Sequence, residues 1–187
     1  MNLSSIFQSP VVRPPPPPPQ LQARPPAVRA PAVQQSRALD TFTASSKTLS
    51  TTQLAQKLNP AGNPKYLPHD HNTYCNVYSQ DFMKARGVKL PELTANKTSE
   101  WLHSKAGAAA GWRQVSAGEA QRAVNSGANG LVTSVHNPHG HIAPILEGNL
   151  TNGAPTISNA GSKNFNVGPS TDSPAFRRPN TEYWVHD

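Results

Sequence analysis

An α+β fold is predicted by three features of the chain: helical spacing of apolar residues over 74–86, a helix-start pattern at Ser116-Ala117-Gly118-Glu119, and a change after Gly130 to extended segments separated by turn residues. Helices come first and a small antiparallel sheet follows, so the helices are expected to pack on the sheet. The chain has 187 residues, 35% hydrophobic and 6% aromatic, enough for one modest core if part of it stays outside.

Residues 1–50 supply that outside part. Pro14 to Pro19 form an unbroken run, followed by Pro25-Pro26 and Pro31. Proline fixes φ and lacks an amide donor, so the segment is expected to be a disordered, polyproline-like arm that builds no core. Arg13, Arg24, Arg29, Arg37 and Lys47 stand against Asp40 alone, and the arm holds more than half of the formal charge of +7. The remainder is only mildly basic, which argues against a nucleic-acid partner. No apolar run is long enough for a membrane span. The start, Met1 to Phe7, shows no basic segment followed by an apolar stretch, so no general secretory signal is expected and export by a specialised system is.

The folded domain is assigned to residues 51–187. A short helix before Asn59-Pro60 is followed by a longer one from Tyr74 to Arg86, capped by Asn72 or Thr73 and stopped by Gly87. Tyr74, Val77, Tyr78, Phe82 and Ala85 form its apolar face, with Cys75 beside it. A further helix is expected over Ser99–Ala106, ended by Gly107, and another from the Ser116 cap to Gly127. Strands are expected at Leu131–Val135, His141–Leu146, Thr156–Asn159 and Tyr183–His186, with Asn137-Pro138-His139-Gly140 as a hairpin turn and Asn164-Phe165-Asn166 as another turn. Pro144 removes a ladder donor from its strand, so an edge position or a bulge is expected there.

Cys75 is the single cysteine, which excludes an internal disulfide and leaves its chemistry to be explained. Placed at a helix start, its thiolate is favoured by unpaired amides and the helix dipole. Acyl transfer by a thiol also needs an imidazole and a polar group to orient it. His141 opens a strand after a glycine turn, and Asn159 or, one residue out of register, Ser158 projects from the next strand. The Cys75 amide and the side chain of Asn72 are candidate oxyanion donors. A competing reading takes a lone cysteine as a small buried hydrophobe. The pairs His69/His71 and His139/His141 invite a zinc reading, but neither has the spacing of known zinc sites, so no metal is expected.

Asn72-Thr73-Tyr74-Cys75-Asn76-Val77, the Trp101 and Trp112 segments, Gly140-His141-Ile142-Ala143, Asn159-Ala160-Gly161 and Tyr183-Trp184-Val185-His186 together resemble the papain-like peptidoglycan hydrolases of the NlpC/P60 and CHAP superfamily. CHAP-type amidase domains of phage lysins and bacterial effectors are the most similar. The resemblance covers roughly the last two-thirds of the chain. It implies a papain-like fold, Cys75 as nucleophile, His141 as base, Asn159 as orienting residue, no cofactor, and an amide or peptide bond of murein as substrate. An effector or lysin implies action in the periplasm, cell wall or a target cell, with an immunity protein, a chaperone or a secretion-machine carrier as partner. A departure is Tyr74 before the cysteine, where Asp or Gln is common. Two alternatives stand beside this reading: a host-directed cysteine protease or acyl-transfer effector, and a non-enzymatic binder that uses the proline-rich arm.

Overall fold

The structure is a computed structural model that describes residues 49–187; the expected proline-rich arm lies outside the described residues except for Leu49 and Ser50. Helix α1 (Thr51–Leu58) starts at a reciprocal cap. Ser50 Oγ accepts from the Gln53 amide at 3.1 Å, and Gln53 Oε1 accepts from the Ser50 amide at 3.0 Å. Asn59 ends the helix in the left-handed region, φ 50°.

Helix α2 (Cys75–Ala85) buries Cys75, Tyr78, Ser79, Phe82 and Met83. Its N-cap is Tyr74, with no side-chain cap, rather than the expected Asn72 or Thr73. The reason is local. Residues 69–72 close on themselves through paired His69 and Asn72 backbone bonds, and Asn72 Nδ2 donates back to the Asp70 carbonyl. Gly87, at φ 82°, stops the helix as expected, with the amides of Gly87 and Val88 returning to Lys84 and Met83.

The single helix expected over 99–106 is instead two, α3 (Ala95–Leu102) and α4 (Lys105–Ala109). Ser104 interrupts them, its Oγ accepting from the amides of Ala106 and Gly107. Gly107 is therefore no stop. It lies inside α4, where a Cβ would sit 2.5 Å from the Trp101 carbonyl oxygen, so glycine permits the close approach of the two helices.

Strand β1 (Trp112–Val115) precedes α5 (Ala117–Asn125), so the order is not strictly helices before strands. Ser116 caps α5 by accepting from the Glu119 amide, but the Glu119 carboxylate turns to Arg113 Nη1 at 2.6 Å, leaving the reciprocal half unmade. Four strands follow, β2 (Asn129–Ser134), β3 (His141–Ile145), β4 (Thr156–Asn159) and β5 (Phe165–Pro169). Two 3-10 turns, Ser170–Asp172 and Pro174–Arg177, lead into β6 (Thr181–His186). The stretch read as a turn around Phe165 is thus the start of a strand that pairs with β4.

All pairings are antiparallel, in the order β1-β6-β2-β3-β4-β5. The architecture is mixed helix and antiparallel sheet. One face of the sheet, with Leu131, Ile142, Leu146 and Trp184, packs in the core of α2; the other, with Val132, Ala143, Ile145, Ile157 and Val185, packs with α5 and Phe176. Trp112 and Trp184 are buried. Among the described residues no helix is long and apolar enough to cross a membrane.

Pro144 corrects a further expectation, because β3 lies between β2 and β4 and not at an edge. The missing donor falls where it does least harm. Leu146 donates to Thr156 of β4, so by alternation position 144 also turns its nitrogen toward β4. On that side the register holds only Ile145 opposite Ile157, whereas the β2 side is complete over five pairs.

Candidate active site

Cys75 is the first residue of α2 and forms part of the wall of a cleft of about 390 Å³ with His71, Asn72, Asn76, Asn96, His139 and Gly140. Only 4% of the residue is exposed. Three backbone amides favour the sulfur's ionised form: its own and that of Asn76 at the uncapped helix start, and that of Ile142. The third follows from the sheet. By the same alternation the Ile142 amide faces β4, but the β3–β4 ladder does not extend that far, and the sulfur occupies the place of the absent strand acceptor.

His141 is 7% exposed and begins β3 directly after Gly140 of the cleft wall. Its Nε2 lies 2.8 Å from Oδ1 of Asn159. The proton on this contact is decided by the asparagine. Asn159 Nδ2 donates to the Lys163 carbonyl at 2.6 Å, which turns Oδ1, an acceptor, toward the ring. Nε2 therefore carries the hydrogen and Nδ1 keeps its lone pair. Phe176 covers one side of the imidazole, ring centroids 4.8 Å apart, and Gly161 lies so close that a Cβ would stand 2.7 Å from Cε1.

Burial dominates both groups. It pushes the Cys75 thiol up despite the three amides, so the helix start alone does not produce a resting thiolate as the sequence suggested. It lowers His141 from 6.5 to about 4, aided by nearby His136 and opposed by the Asn159 bond. At neutral pH the pair is thiol and neutral imidazole. Among the described residues no hydrogen bond joins them. The ring lies with Asn159 and Phe176 on one face of β3 while Cys75 packs with Ile142 on the α2 face, so the expected meeting of sulfur and imidazole across one cleft is not made.

Strand alternation separates Asn159 from Ser158. Ser158 points to the α2 face, where its Oγ lies 2.6 Å from the Tyr78 hydroxyl, while Asn159 shares the His141 face. Asn72 lines the cleft beside Cys75 with one amide hydrogen committed to Asp70. His69 contacts Asp70 and Tyr74, and His139 stands on the cleft wall. Among the described residues no three His, Cys, Asp or Glu side chains gather as a metal site.

Sequence reasoning named Gly161 only within the Asn159-Ala160-Gly161 motif, with no role at the ring, and missed Phe176 and Asn96. Gly161 carried a legible signal, a glycine two residues beyond the orienting asparagine. Phe176 carried none, being an isolated aromatic in a polar stretch. Asn96 donates to the His136 carbonyl at 3.2 Å, and its Oδ1 fills the space that a side chain at Gly140 would need. It thereby bonds one end of the connector leading into His141 and packs against the other, where its Oδ1 is buried without a hydrogen-bond partner.

Compared with known proteins, the chain matches no family model and no curated protein sequence. Its site is therefore read from geometry.

Proposed function

We propose that the chain is a cysteine hydrolase with a papain-like arrangement, acting on an amide or peptide bond of bacterial peptidoglycan as a secreted effector or lysin. The observation that carries this reading is the 2.8 Å bond between His141 and Asn159, made on a strand whose next amide faces the sulfur of Cys75 at a cleft. Asn159 holds the tautomer that leaves Nδ1 basic, the orienting role that such chemistry requires.

The mechanism requires the Cys75 proton to pass to Nδ1 of His141, whose ring lies on the sheet face away from α2, so the two side chains must close on each other as a substrate carbonyl enters the cleft. The thiolate attacks the carbonyl carbon, and the imidazolium returns the proton to the nitrogen as the C–N bond breaks. A water that loses its proton to His141 then attacks the acyl-enzyme, releasing the acid and restoring the thiol. No metal or cofactor takes part in these steps. Because burial raises the thiol and lowers the imidazole, the proposed mechanism has proton transfer and attack occur together in the substrate complex.

Purified wall sacculi incubated with wild type, Cys75→Ala and His141→Ala test the proposal. Release of muropeptides by wild type, with activity reduced about 10³-fold or more in each variant, is expected. Mass spectrometry of the new termini identifies the bond. Intact sacculi with thiol-dependent cleavage of a protein substrate would move the activity to a host-directed protease. The absence of any thiol-dependent reaction would leave Cys75 as a packed side chain in a binding protein.

A further inference from the structure

The turn from Ala160 to Asn164 makes both contacts that hold the imidazole system in place. The Gly161 backbone lies against the ring, and the Lys163 carbonyl accepts from Asn159 Nδ2. A turn of this kind needs its own restraint, and one side chain supplies it. Asn164 Oδ1 accepts from the Gly161 amide at 2.7 Å, while its Nδ2 donates to the carbonyls of Pro60 at 2.8 Å and Tyr66 at 2.9 Å. The carboxamide is thus engaged at both ends, joining the turn to the loop between α1 and α2.

We infer that Asn164 is a positioning residue for the His141–Asn159 pair, acting through the backbone of residues 161–163. The inference rests on the reading of His141 as the base. Asn164 touches neither ring nor sulfur, so its effect is on orientation and not on chemistry. The titratable group that bears on the ring is His136, from the connector between β2 and β3; Asn159 of β4 and Phe176 of the 3-10 turn carry no charge.

Asn166 provides an internal control. It joins the same two regions, accepting from the Ala61 amide at 3.1 Å and donating to Asn59 Oδ1 at 3.0 Å, yet neither bond reaches residues 159–163. Histidine side-chain NMR on the full chain compares wild type, Asn164→Ala and Asn166→Ala. In wild type and Asn166→Ala the His141 Nε2 hydrogen is expected to be protected and the ring to titrate near 4. In Asn164→Ala the hydrogen should exchange about tenfold faster or more, with titration moving toward the ordinary value near 6.5. On sacculi the same variant should lower kcat about tenfold with KM within about twofold.

Unchanged exchange and titration in Asn164→Ala would overturn the inference, as would equal changes in Asn166→Ala, which would indicate general loosening. If the alanine variant does not fold, Asn164→Asp, which loses both donors to the Pro60 and Tyr66 carbonyls, is expected to shift exchange and titration in the same direction, and unchanged values there would overturn the inference. Failure of wild type to release muropeptides would refute the wall-hydrolase proposal, whereas the NMR comparison judges positioning independently.

Discussion

Gly161 lies against the imidazole of His141 at a distance that no side chain tolerates, since a Cβ would stand 2.7 Å from Cε1 and 3.3 Å from Nε2. Gly161→Ala must therefore displace the ring or the turn. Overpacking of this kind costs about 1–3 kcal/mol. Urea unfolding should show the loss, and hydrolysis should fall about tenfold or more because the Asn159 bond is disturbed with the ring. Wild-type activity and stability in this variant would mean that the turn yields without moving His141.

Stability should decline on acidification through the His141 window. Burial lowers its folded value from 6.5 to about 4, so between these limits the unfolded chain binds a proton that the native chain refuses. Stability due to this group is therefore complete above pH 6.5 and falls as pH drops, by roughly 3 kcal/mol in total. Urea midpoints measured from pH 7 to pH 4 should fall less steeply in His141→Gln than in wild type. Parallel curves would contradict the burial argument.

The Tyr78 and Ser158 hydroxyls form a buried pair 2.6 Å apart between α2 and β4. Tyr78→Phe leaves the serine without this partner and should destabilise by about 1–3 kcal/mol. The double variant with Ser158→Ala should cost less than the sum of the two single changes. Additive losses would show that the pair contributes nothing as a pair.

Alkylation of Cys75 by iodoacetamide should be slow in the native chain at pH 7, about tenfold or more below an exposed thiol. Both its burial and its raised titration reduce the accessible thiolate. The rate should rise on unfolding and with increasing pH. Fast native alkylation would instead indicate a resting thiolate, as the helix start alone suggested.

Much of this arrangement was legible in local patterns. Thr156–Asn159 matches its predicted limits and a short helix stands before Asn59-Pro60 as expected, because Asn59-Pro60 and alternating side chains are short-range signals. Asn159 was named in advance as the partner of His141 and the two meet, whereas the expected meeting of the Cys75 sulfur with that ring is not made among the described residues. Longer-range packing was not legible. Gly107 looks like a stop until Trp101 and Leu102 are seen against it, and β1 and β5 are too short and mixed to stand out before their partners are known. The balance at Cys75 was hidden for the same reason, since a helix start can be read from neighbours in sequence but burial comes from the whole sheet.

The unfinished seam between β3 and β4 gives the 141–142 peptide a second use. One more rung, formed opposite Ala160, would claim the Ile142 amide for the sheet and leave the sulfur with the helix alone. Reactivity and rigidity compete here for a single hydrogen. A substitution that zips the two strands further should therefore yield a tougher protein with a duller thiol.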